Sequence, residues 1–260
     1  MKKVLGALLM LSMAIGGTVV APNTTKDVQA ATTIQSNRWY EGMTDGENDQ
    51  VYTYKMQGSG YFYYQVIPIG GGCYYKGNFE ENSVYWVETS IVKNYKMYDG
   101  TTKAKNTEGG FESHRFSFKS GSRITIKVKD SENYKTRYKI KVTFVKMKNF
   151  EKENNNSKKA ANKIKKGTYT GLAMGDDNDF FVFKAPKTKK YKIRYVCTSE
   201  EYCYQETEIY KGNKLYSNRY HIQGGGWSTL FSGKLKKGQK IYINVIDMIN
   251  GDSFYKINVK

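Results

Sequence analysis

The chain has 260 residues and a formal net charge of +18, from 42 lysine and arginine side chains against 24 aspartates and glutamates. Three cysteines are too few for the disulfide scaffolds that hold small secreted domains together. Beyond the N-terminal apolar run, no stretch approaches the roughly 18 apolar residues that a membrane span requires, so no later segment is predicted to cross a membrane.

The first 30 residues have the organisation of a secretory signal peptide. Lys2 and Lys3 precede an apolar run over residues 4–20, and residues 28–30 supply small side chains at the positions expected before cleavage. The mature chain is predicted to begin near Ala31 and to be secreted, either extracellular or loosely associated with the cell surface. A retained membrane anchor is the alternative.

Positive charge is spread unevenly along the mature chain. Residues 31–147 hold 17 basic and 12 acidic side chains, a net charge of +5. Residues 148–260 hold 22 basic and 11 acidic side chains, a net charge of +11. A basic secreted protein is attracted to anionic surfaces such as wall polymers, acidic glycans or nucleic acid. The alternative is that lysine only coats the outer strand faces for solubility. No sequence motif for specific reading of nucleic acid is present.

The two halves of the mature chain can be laid over each other. Three pairs of segments match in order: residues 46–55 with 175–184, residues 60–66 with 190–196, and residues 121–128 with 238–245. Both halves end on an alternating apolar strand, Tyr138-x-Ile140-x-Val142 in one and Tyr255-x-Ile257-x-Val259 in the other. This self-similarity predicts a tandem repeat whose first copy has diverged.

The matching segments alternate apolar and polar residues with a period of two and are separated by glycine, asparagine and aspartate turns. Half-buried antiparallel strands give this alternation, and several such strands in each copy indicate two sheets packed face to face. The sequence therefore predicts an all-β protein with two tandem antiparallel β-sandwich modules of the jelly-roll kind, over residues 31–147 and 148–260. One helix is predicted, near Ser157–Lys165, where Asn156 or Ser157 can cap it.

Three aromatic side chains are candidates for ligand binding. The repeat alignment places Phe62 and Tyr64 opposite Lys192 and Arg194, so both rings are predicted to point outward. Tyr242 lies between two isoleucines of an alternating strand and is also predicted to face solvent. Exposed rigid rings suit binding to sugars, to polypeptide or to a partner domain. The alternative is that Phe62 and Tyr64 pack against the other module or under the glycine-rich loop of residues 70–72.

Two of the cysteines flank a short turn-like stretch. Cys197 and Cys203 can form a disulfide across it in an oxidising compartment, and the geometry that decides this is not visible in the sequence. Cys73 follows three glycines and is then the odd thiol.

Side chains that carry oxygen gather in two clusters at the junction of the halves. The first cluster is Glu151, Glu153, Asn155 and Asn156, and the second is Asp176, Asp177 and Asp179. Calcium takes six to eight oxygen ligands, which two clusters folded against each other can supply. The alternative interpretation is a solvated linker followed by an acidic turn.

These residues also resemble a known family. Glu-x-Glu-x-Asn-Asn-Ser, followed by Gly-Asp-x-x-Asp-Phe-x-x-Phe, is similar to the bacterial pre-peptidase C-terminal domain, a family that includes the collagen-binding domains of clostridial collagenases. The resemblance covers residues 150–260, with a diverged second copy in residues 33–147. It implies a β-sandwich that is usually a non-catalytic appendage of secreted enzymes. It also implies calcium ligands at Glu151, Glu153, Asn155, Asn156, Asp176 and Asp179, and a candidate collagen contact at Tyr242.

The sequence departs from that family at two positions of the motif. Asn154 stands where proline is common, and Asn156 stands where calcium-binding members commonly have aspartate, which removes one formal charge and predicts weaker affinity. The first copy has Gln50 where the second has Asp179. The segment at the start of the first copy, residues 33–38, also lacks Glu-x-Glu. One calcium site is therefore predicted, in the second half.

No catalytic motif is found. The chain lacks His-Glu-x-x-His, Gly-x-Ser-x-Gly and a phosphate-binding loop, and His114 and His221 have no ligand partners near them in the sequence. Asp176 and Asp179 can be imagined as glycosidase carboxylates, although their position at the start of a strand fits a cation better. The prediction is a non-catalytic protein.

The function predicted from the sequence is binding or adhesion outside the cell. The expected partner is an extracellular polysaccharide, a wall polymer or a protein such as collagen, and the chain is expected to act as a monomer. The alternatives are a secreted hydrolase or toxin of unfamiliar type and an accessory or inhibitory partner of a separate secreted peptidase.

Overall fold

The structure is a computed structural model. It describes residues 31–44, 50–69, 73–75, 78–80, 87–93, 96–97, 102–104, 111–113, 115–130, 137–174, 178–199, 203–222, 224–248 and 252–260. The predicted signal peptide lies outside the described residues, as do His114 and Asp176. Within the described residues the fold is all-β, as predicted, and no helix there is long and apolar enough to cross a membrane.

Twelve strands lie in the first half of the mature chain. They are β1 (Thr32–Ile34), β2 (Trp39–Met43), β3 (Gln50–Lys55), β4 (Gly60–Pro68), β5 (Cys73–Tyr75), β6 (Asn78–Glu80), β7 (Val87–Lys93), β8 (Lys96–Met97), β9 (Thr102–Ala104), β10 (Phe111–Glu112), β11 (Arg123–Asp130) and β12 (Arg137–Lys146). One sheet has the order β1-β3-β11-β7-β8, with β9 also paired to β7, and a second has the order β10-β4-β12-β2. We call the first the front sheet and the second the back sheet of this half.

Nine strands follow in the second half. They are β13 (Asn162–Ile164), β14 (Gly167–Met174), β15 (Asn178–Lys184), β16 (Lys189–Cys197), β17 (Tyr204–Lys211), β18 (Lys214–Ile222), β19 (Ser228–Leu235), β20 (Lys240–Asp247) and β21 (Asp252–Val259). The front sheet of this half has the order β13-β15-β20-β17-β18, and its back sheet has the order β14-β21-β16-β19. Both halves thus share one strand order, and in both the first strand pairs in parallel with the third.

Each pair of sheets encloses an apolar core. In the first half Tyr54, Ile124 and Ile126 of the front sheet face Val66 and Ile140 of the back sheet, and all are almost fully buried. The same alternation in the second half buries residues of both sheets, among them Phe181, Phe183, Ile193, Ile243 and Ile257. Burying one such side chain stabilises a fold by about 1.5–3 kcal/mol, so the period-two pattern fixes which strand face turns inward.

The prediction that Phe62 and Tyr64 point outward is wrong, because both side chains are fully buried in the first core. In the back sheets Tyr64 pairs with Val142, whereas Ile193 pairs with Val259. Val142 and Val259 are the last residues of the matching Tyr-x-Ile-x-Val segments and so occupy equivalent positions. Their partners Tyr64 and Ile193 are therefore equivalent as well. The repeat alignment was one residue out of register in this strand, and a slip of one residue exchanges the two faces of a strand.

The predicted helix near Ser157–Lys165 is also absent. The chain makes a turn over residues 157–160, where the Ala160 amide hydrogen bonds to Ser157, and then forms β13. The Asn162 side chain bonds to both backbone groups of Lys152. Short isolated helices are marginal in water, and parallel pairing with β15 satisfies the backbone of this segment while it buries Ile164.

Cys197 and Cys203 form a disulfide, and both residues are buried. Cys73 begins β5.

The two halves meet through apolar contacts. Phe150, Leu172 and Met174 belong to the same core cluster as the residues of the first half. Tyr61 on the outer face of β4 packs edge-on against Phe254, with ring centroids 4.9 Å apart. Residues 150–157, which we call the leader, carry four of the predicted ion ligands. The leader therefore begins where the halves are in contact.

Candidate metal centre

The segment from Phe150 to Asn156 begins beside β14, the edge strand of the second back sheet. The Glu151 amide donates to the Thr170 carbonyl over 3.0 Å, and the Thr170 amide donates to the Asn149 carbonyl over 3.1 Å. These bonds fix the alternation of the segment, so its odd-numbered side chains from 151 to 155 are buried and its even-numbered ones are exposed.

Three acidic side chains converge in the second sandwich. Glu151 and Glu153 come from the leader, and Asp179 comes from β15, where it pairs with Val245 of β20. One carboxylate oxygen from each lies within 4.8 Å of the others. Their exposed fractions are 2%, 9% and 0%. Three carboxylates this close and this buried repel one another unless a proton or a cation compensates them.

Hydrogen bonds orient two of these carboxylates. The Leu172 amide donates to Glu151 Oε1 over 2.6 Å. The Tyr255 hydroxyl lies 2.8 Å from Glu151 Oε2 and 2.7 Å from Asp179 Oδ2. A hydroxyl carries a single proton, so Tyr255 can donate to only one of the two carboxylates at a time.

The electrostatics of the cluster favour the neutral forms of Glu151 and of two neighbouring tyrosines. Burial raises the pKa of Glu151 well above its ordinary value, and the negative charges of Asp179 and Glu153 raise it further. Burial and the charge of Asp179 likewise raise the pKa of Tyr255 and of Tyr195. A cation held by the three carboxylates would reverse this effect, because it favours the ionised form of each.

Asn155 adds a neutral oxygen donor on the same face of the leader. It is fully buried, and neither Oδ1 nor Nδ2 has a hydrogen-bond partner among the described residues. Its backbone carbonyl accepts hydrogen bonds from the amides of Phe180 and Ser157, which ties the leader to β15. A buried polar group without a partner costs about 1–3 kcal/mol, and a cation bound by Oδ1 would remove the cost for that oxygen.

The six predicted ligands thus have different positions. Glu151, Glu153 and Asp179 are together, Asn155 is buried on their side of the leader, Asn156 is exposed, and Asp176 lies outside the described residues. The donors are all oxygens, as calcium requires. Tyr255 is the contributor that sequence reasoning missed, because its alternating strand only marked it as a core residue.

A glycine makes room for the tyrosine. Gly171 of β14 lies opposite Tyr255 of β21. A Cβ atom at Gly171 would overlap the phenol of Tyr255 and would come within 2.7 Å of Glu151 Oε2. The close approach of these three groups therefore requires glycine at position 171.

Among its described residues, the first half repeats the glycine–tyrosine arrangement without the three carboxylates. Gly42 lies opposite Tyr138, and the Tyr138 hydroxyl bonds to the Tyr52 hydroxyl over 2.8 Å. Gln50 pairs with Val128 at the position where Asp179 pairs with Val245. A pair of neutral phenols thus replaces the acidic cluster. Burial raises the pKa of both Tyr52 and Tyr138, so this pair stays neutral at physiological pH.

The chain matches no protein-family model and no curated protein. One similar solved structure is the pre-peptidase C-terminal domain of a collagenase from Bacillus anthracis, which is 23% identical over 38% of this chain and 94% of that chain, with a TM-score of 0.32. Another is the N-terminal CBM22-1–CBM22-2 tandem domain of Xyn10C from Paenibacillus barcinonensis. It is 9% identical over 86% of this chain and 87% of that chain, with a TM-score of 0.30. These likenesses are partial, and no function is assigned from them.

Tyr242, the third predicted contact residue, is half-buried on the outer face of the second front sheet. It pairs with Tyr210 of β17. Farther along this face Tyr204 and Tyr220 stack, with ring centroids 5.9 Å apart, and they are 40% and 57% exposed. We call these four residues the tyrosine face. Sequence reasoning identified only Tyr242, because the pairing of β17 with β18 brings the other rings to the same surface.

His221 belongs to a buried polar group in the same half. Its Nε2 lies 2.7 Å from Thr207 Oγ1, and its ring centroid lies 4.3 Å from that of Tyr195. Burial, assisted by the charge of Arg219, lowers the pKa of His221 to about 4. These contacts give His221 a structural role in the core.

The depressed pKa of His221 predicts a pH-dependent stability. In the unfolded chain a histidine has a pKa of about 6.5, so below that value the unfolded state binds a proton that the folded state refuses. Stability is therefore fully present above pH 6.5 and declines as the pH falls toward 4. We expect the melting temperature of His221→Gln to change less with pH between pH 6.5 and pH 5 than that of the parent protein. Equal slopes for the variant and the parent protein in this interval would contradict the assignment.

Proposed function

We propose that this protein is a secreted, non-catalytic binding protein whose C-terminal half holds one structural calcium ion and adheres to an extracellular polymer or protein. The observation that carries the proposal is the convergence of Glu151, Glu153 and Asp179 beside the unpartnered amide of Asn155, inside a β-sandwich. Export rests on the predicted signal peptide.

Calcium would be held by the carboxylates of Glu151, Glu153 and Asp179 and by the amide oxygen of Asn155, with Asn156 and Asp176 as further ligands implied by the family resemblance. The ion supplies positive charge at a site where the protein has buried negative charge. Glu151 and Glu153 are on the leader and Asp179 is on β15, so the ion would attach residues 150–157 to the second sandwich. Because it binds the folded state only, it would stabilise that state.

The burial of the cluster argues for a structural role and against catalysis. Glycosidase carboxylates flank a scissile bond, and one of them acts on a water molecule or on the sugar. Asp179 is fully buried and Glu151 is 2% exposed, and the Tyr255 ring is packed against Phe181 beside them. A polymeric substrate has no access to these oxygens.

The tyrosine face is the surface we propose for adhesion. Its rings are rigid and amphipathic, and they offer contact area at low entropic cost. Lys158 lies over the Tyr210 ring, with Nζ 3.4 Å from the centroid, which holds one ring of the face in place. Its proposed ligand is an extracellular polysaccharide, a wall polymer or a protein such as collagen.

This function can be tested by retention of the mature chain on immobilised collagen, insoluble polysaccharides and purified wall polymers, with calcium and with chelator. We expect retention on at least one of these supports, weakened about tenfold by Tyr242→Ala, as for a central aromatic contact. Tyr216→Ala is the matched control, because Tyr216 is 55% exposed but packs on Phe231 away from the tyrosine face.

Three outcomes would contradict the proposed function. They are no retention on any support, equal retention of Tyr242→Ala and the parent protein, and release of soluble fragments from a support. The last would indicate a hydrolase.

A further inference from the structure

The outer face of the second back sheet is strongly basic beyond the part that packs on the first half, where Leu172, Met174 and Phe254 lie. Along β16 the side chains of Lys190, Lys192 and Arg194 alternate with buried residues and therefore share this face. Lys256 of β21 and Lys234 of β19 point the same way. Side chains on one strand face repeat about every 6.8 Å, and neighbouring strands lie about 4.8 Å apart. The sheet therefore presents a regular array of cations, which we call the basic face.

Acidic side chains are almost excluded from these strands. Among β14, β16, β19 and β21 the sequence has one acidic residue, Asp252, at the first position of β21. The front sheet of the same sandwich differs, since its outer face carries Glu206 and Glu208, whereas its other two acidic residues, Asp179 and Asp247, are buried. The strands of the two sheets contain equal numbers of lysine and arginine residues, six each, so the difference between the sheets lies in their acidic residues. A group of cations with no acidic side chain among them is suited to an anionic partner.

Groups that suit a sugar are interleaved with the cations. The Arg194 guanidinium lies over the Trp227 ring, 4.8 Å from its centroid, and Trp227 is 40% exposed. Arg194 also donates to Asn258 Oδ1 over 3.5 Å, and Asn258 Nδ2 donates to Thr168 Oγ1 over 2.9 Å. An aromatic ring, an amide and a hydroxyl among ammonium groups match a chain whose units carry both hydroxyls and negative charge.

We propose that the basic face binds an acidic polysaccharide, a glycan chain that carries carboxylate or sulfate groups. This proposal rests on the proposed function, because it names the chemical class of one polymer that the protein would bind. The residues of the basic face are on the back sheet, whereas the tyrosine face is on the front sheet. Charge attraction brings the chain to the sheet, and Trp227 with the Arg194–Asn258–Thr168 group contacts the sugar.

The test compares two double variants of the full mature chain with equal changes in charge. Lys192→Glu with Lys256→Glu reverses two cations of the basic face. Lys184→Glu with Lys240→Glu is the control, because these two exposed residues pair at the end of the front sheet. Binding is measured to heparin, polygalacturonate and neutral dextran over a range of salt concentrations.

We expect heparin and polygalacturonate to bind in low salt and dextran not to bind. The basic-face variant should bind the acidic glycans at least about tenfold more weakly, whereas the control should lose less than about threefold, because a nonspecific charge effect acts on both alike. Binding should weaken as salt rises, since exposed charges are screened over about 10 Å at 0.1 M.

Equal losses in the two double variants would overturn the proposal, as would tighter binding to duplex DNA or to anionic vesicles than to either glycan. The parent protein is assayed in parallel for retention on collagen and neutral polysaccharide. If the parent protein is retained on these supports but the two double variants lose glycan binding equally, only the basic-face proposal is contradicted. If the parent protein is retained on no polymer, the proposed function is contradicted as well.

Discussion

Calcium is expected to raise the melting temperature of the chelator-treated protein by about 5–15 °C. A ligand that binds only the folded state at 100 times its dissociation constant contributes about 2.7 kcal/mol, and 1 kcal/mol corresponds to about 2–8 °C for domains of this size range. The physical source is relief of the repulsion among Glu151, Glu153 and Asp179, which are nearly excluded from water. Differential scanning calorimetry with calcium and with chelator measures the shift.

The same measurement on Asp179→Asn should show almost no calcium shift. With chelator this variant should melt no lower than the parent protein, because it removes one of the mutually repelling charges without changing side-chain size. The matched control is Tyr138→Phe, which breaks the Tyr52–Tyr138 hydroxyl contact of the first half and should leave the calcium shift intact. A full shift in Asp179→Asn, or none in the parent protein, would contradict the calcium site.

The shift should also depend on pH in a defined direction. Without the ion, the raised pKa of Glu151 means that the folded state holds a proton that the unfolded state has lost. The stability of the calcium-free protein therefore declines as the pH rises from the ordinary glutamate pKa through the raised one. Calcium must displace that proton, so the calcium shift should be larger at pH 8 than at pH 5.

The second large effect is expected from Gly171→Ala. The added methyl group would overlap the Tyr255 phenol and crowd Glu151, and the overlap involves the ring as well as its oxygen. Overpacking of this kind costs about 1–3 kcal/mol and occasionally more. We expect a fall in the melting temperature together with loss of the calcium shift, because the methyl group displaces a carboxylate and its hydrogen-bond partner together.

Gly42→Ala is the control for this substitution. It creates a comparable overlap with the Tyr52 hydroxyl and the Tyr138 phenol in the first half, so it should also lower the melting temperature but should preserve the calcium shift. Calcium shifts of equal size in both variants would show that Gly171 only avoids a steric clash and has no part in shaping the ion site. If Gly171→Ala fails to fold, Tyr255→Phe provides a milder test of the same contact, with a reduced calcium shift as the expected result.

The comparison of the two halves shows where sequence reasoning was reliable. The alignment of Tyr52 and Tyr54 with Phe181 and Phe183 agrees with the observed register, because both pairs lie opposite isoleucines of the next strand. The alignment of β4 with β16 failed, because β4 has aromatic residues at consecutive positions and so carries no alternation that fixes its register. The predicted helix failed for a related reason, since its few apolar residues also fit a short parallel strand.

The sequence by itself determined the all-β class, through the alternation of apolar residues with turn signals between them. It also determined the residue types of the oxygen-donor cluster, which come from residues 151–156 and 176–179. Only the tertiary structure decided which face of β4 turns inward, because its consecutive aromatic residues leave the strand register open. It also decided that Tyr255 joins Glu151 and Asp179 opposite Gly171, and that one sheet presents nearly all its charge as lysine and arginine. These features arise from strands distant in the chain that become neighbours only when the sheets form.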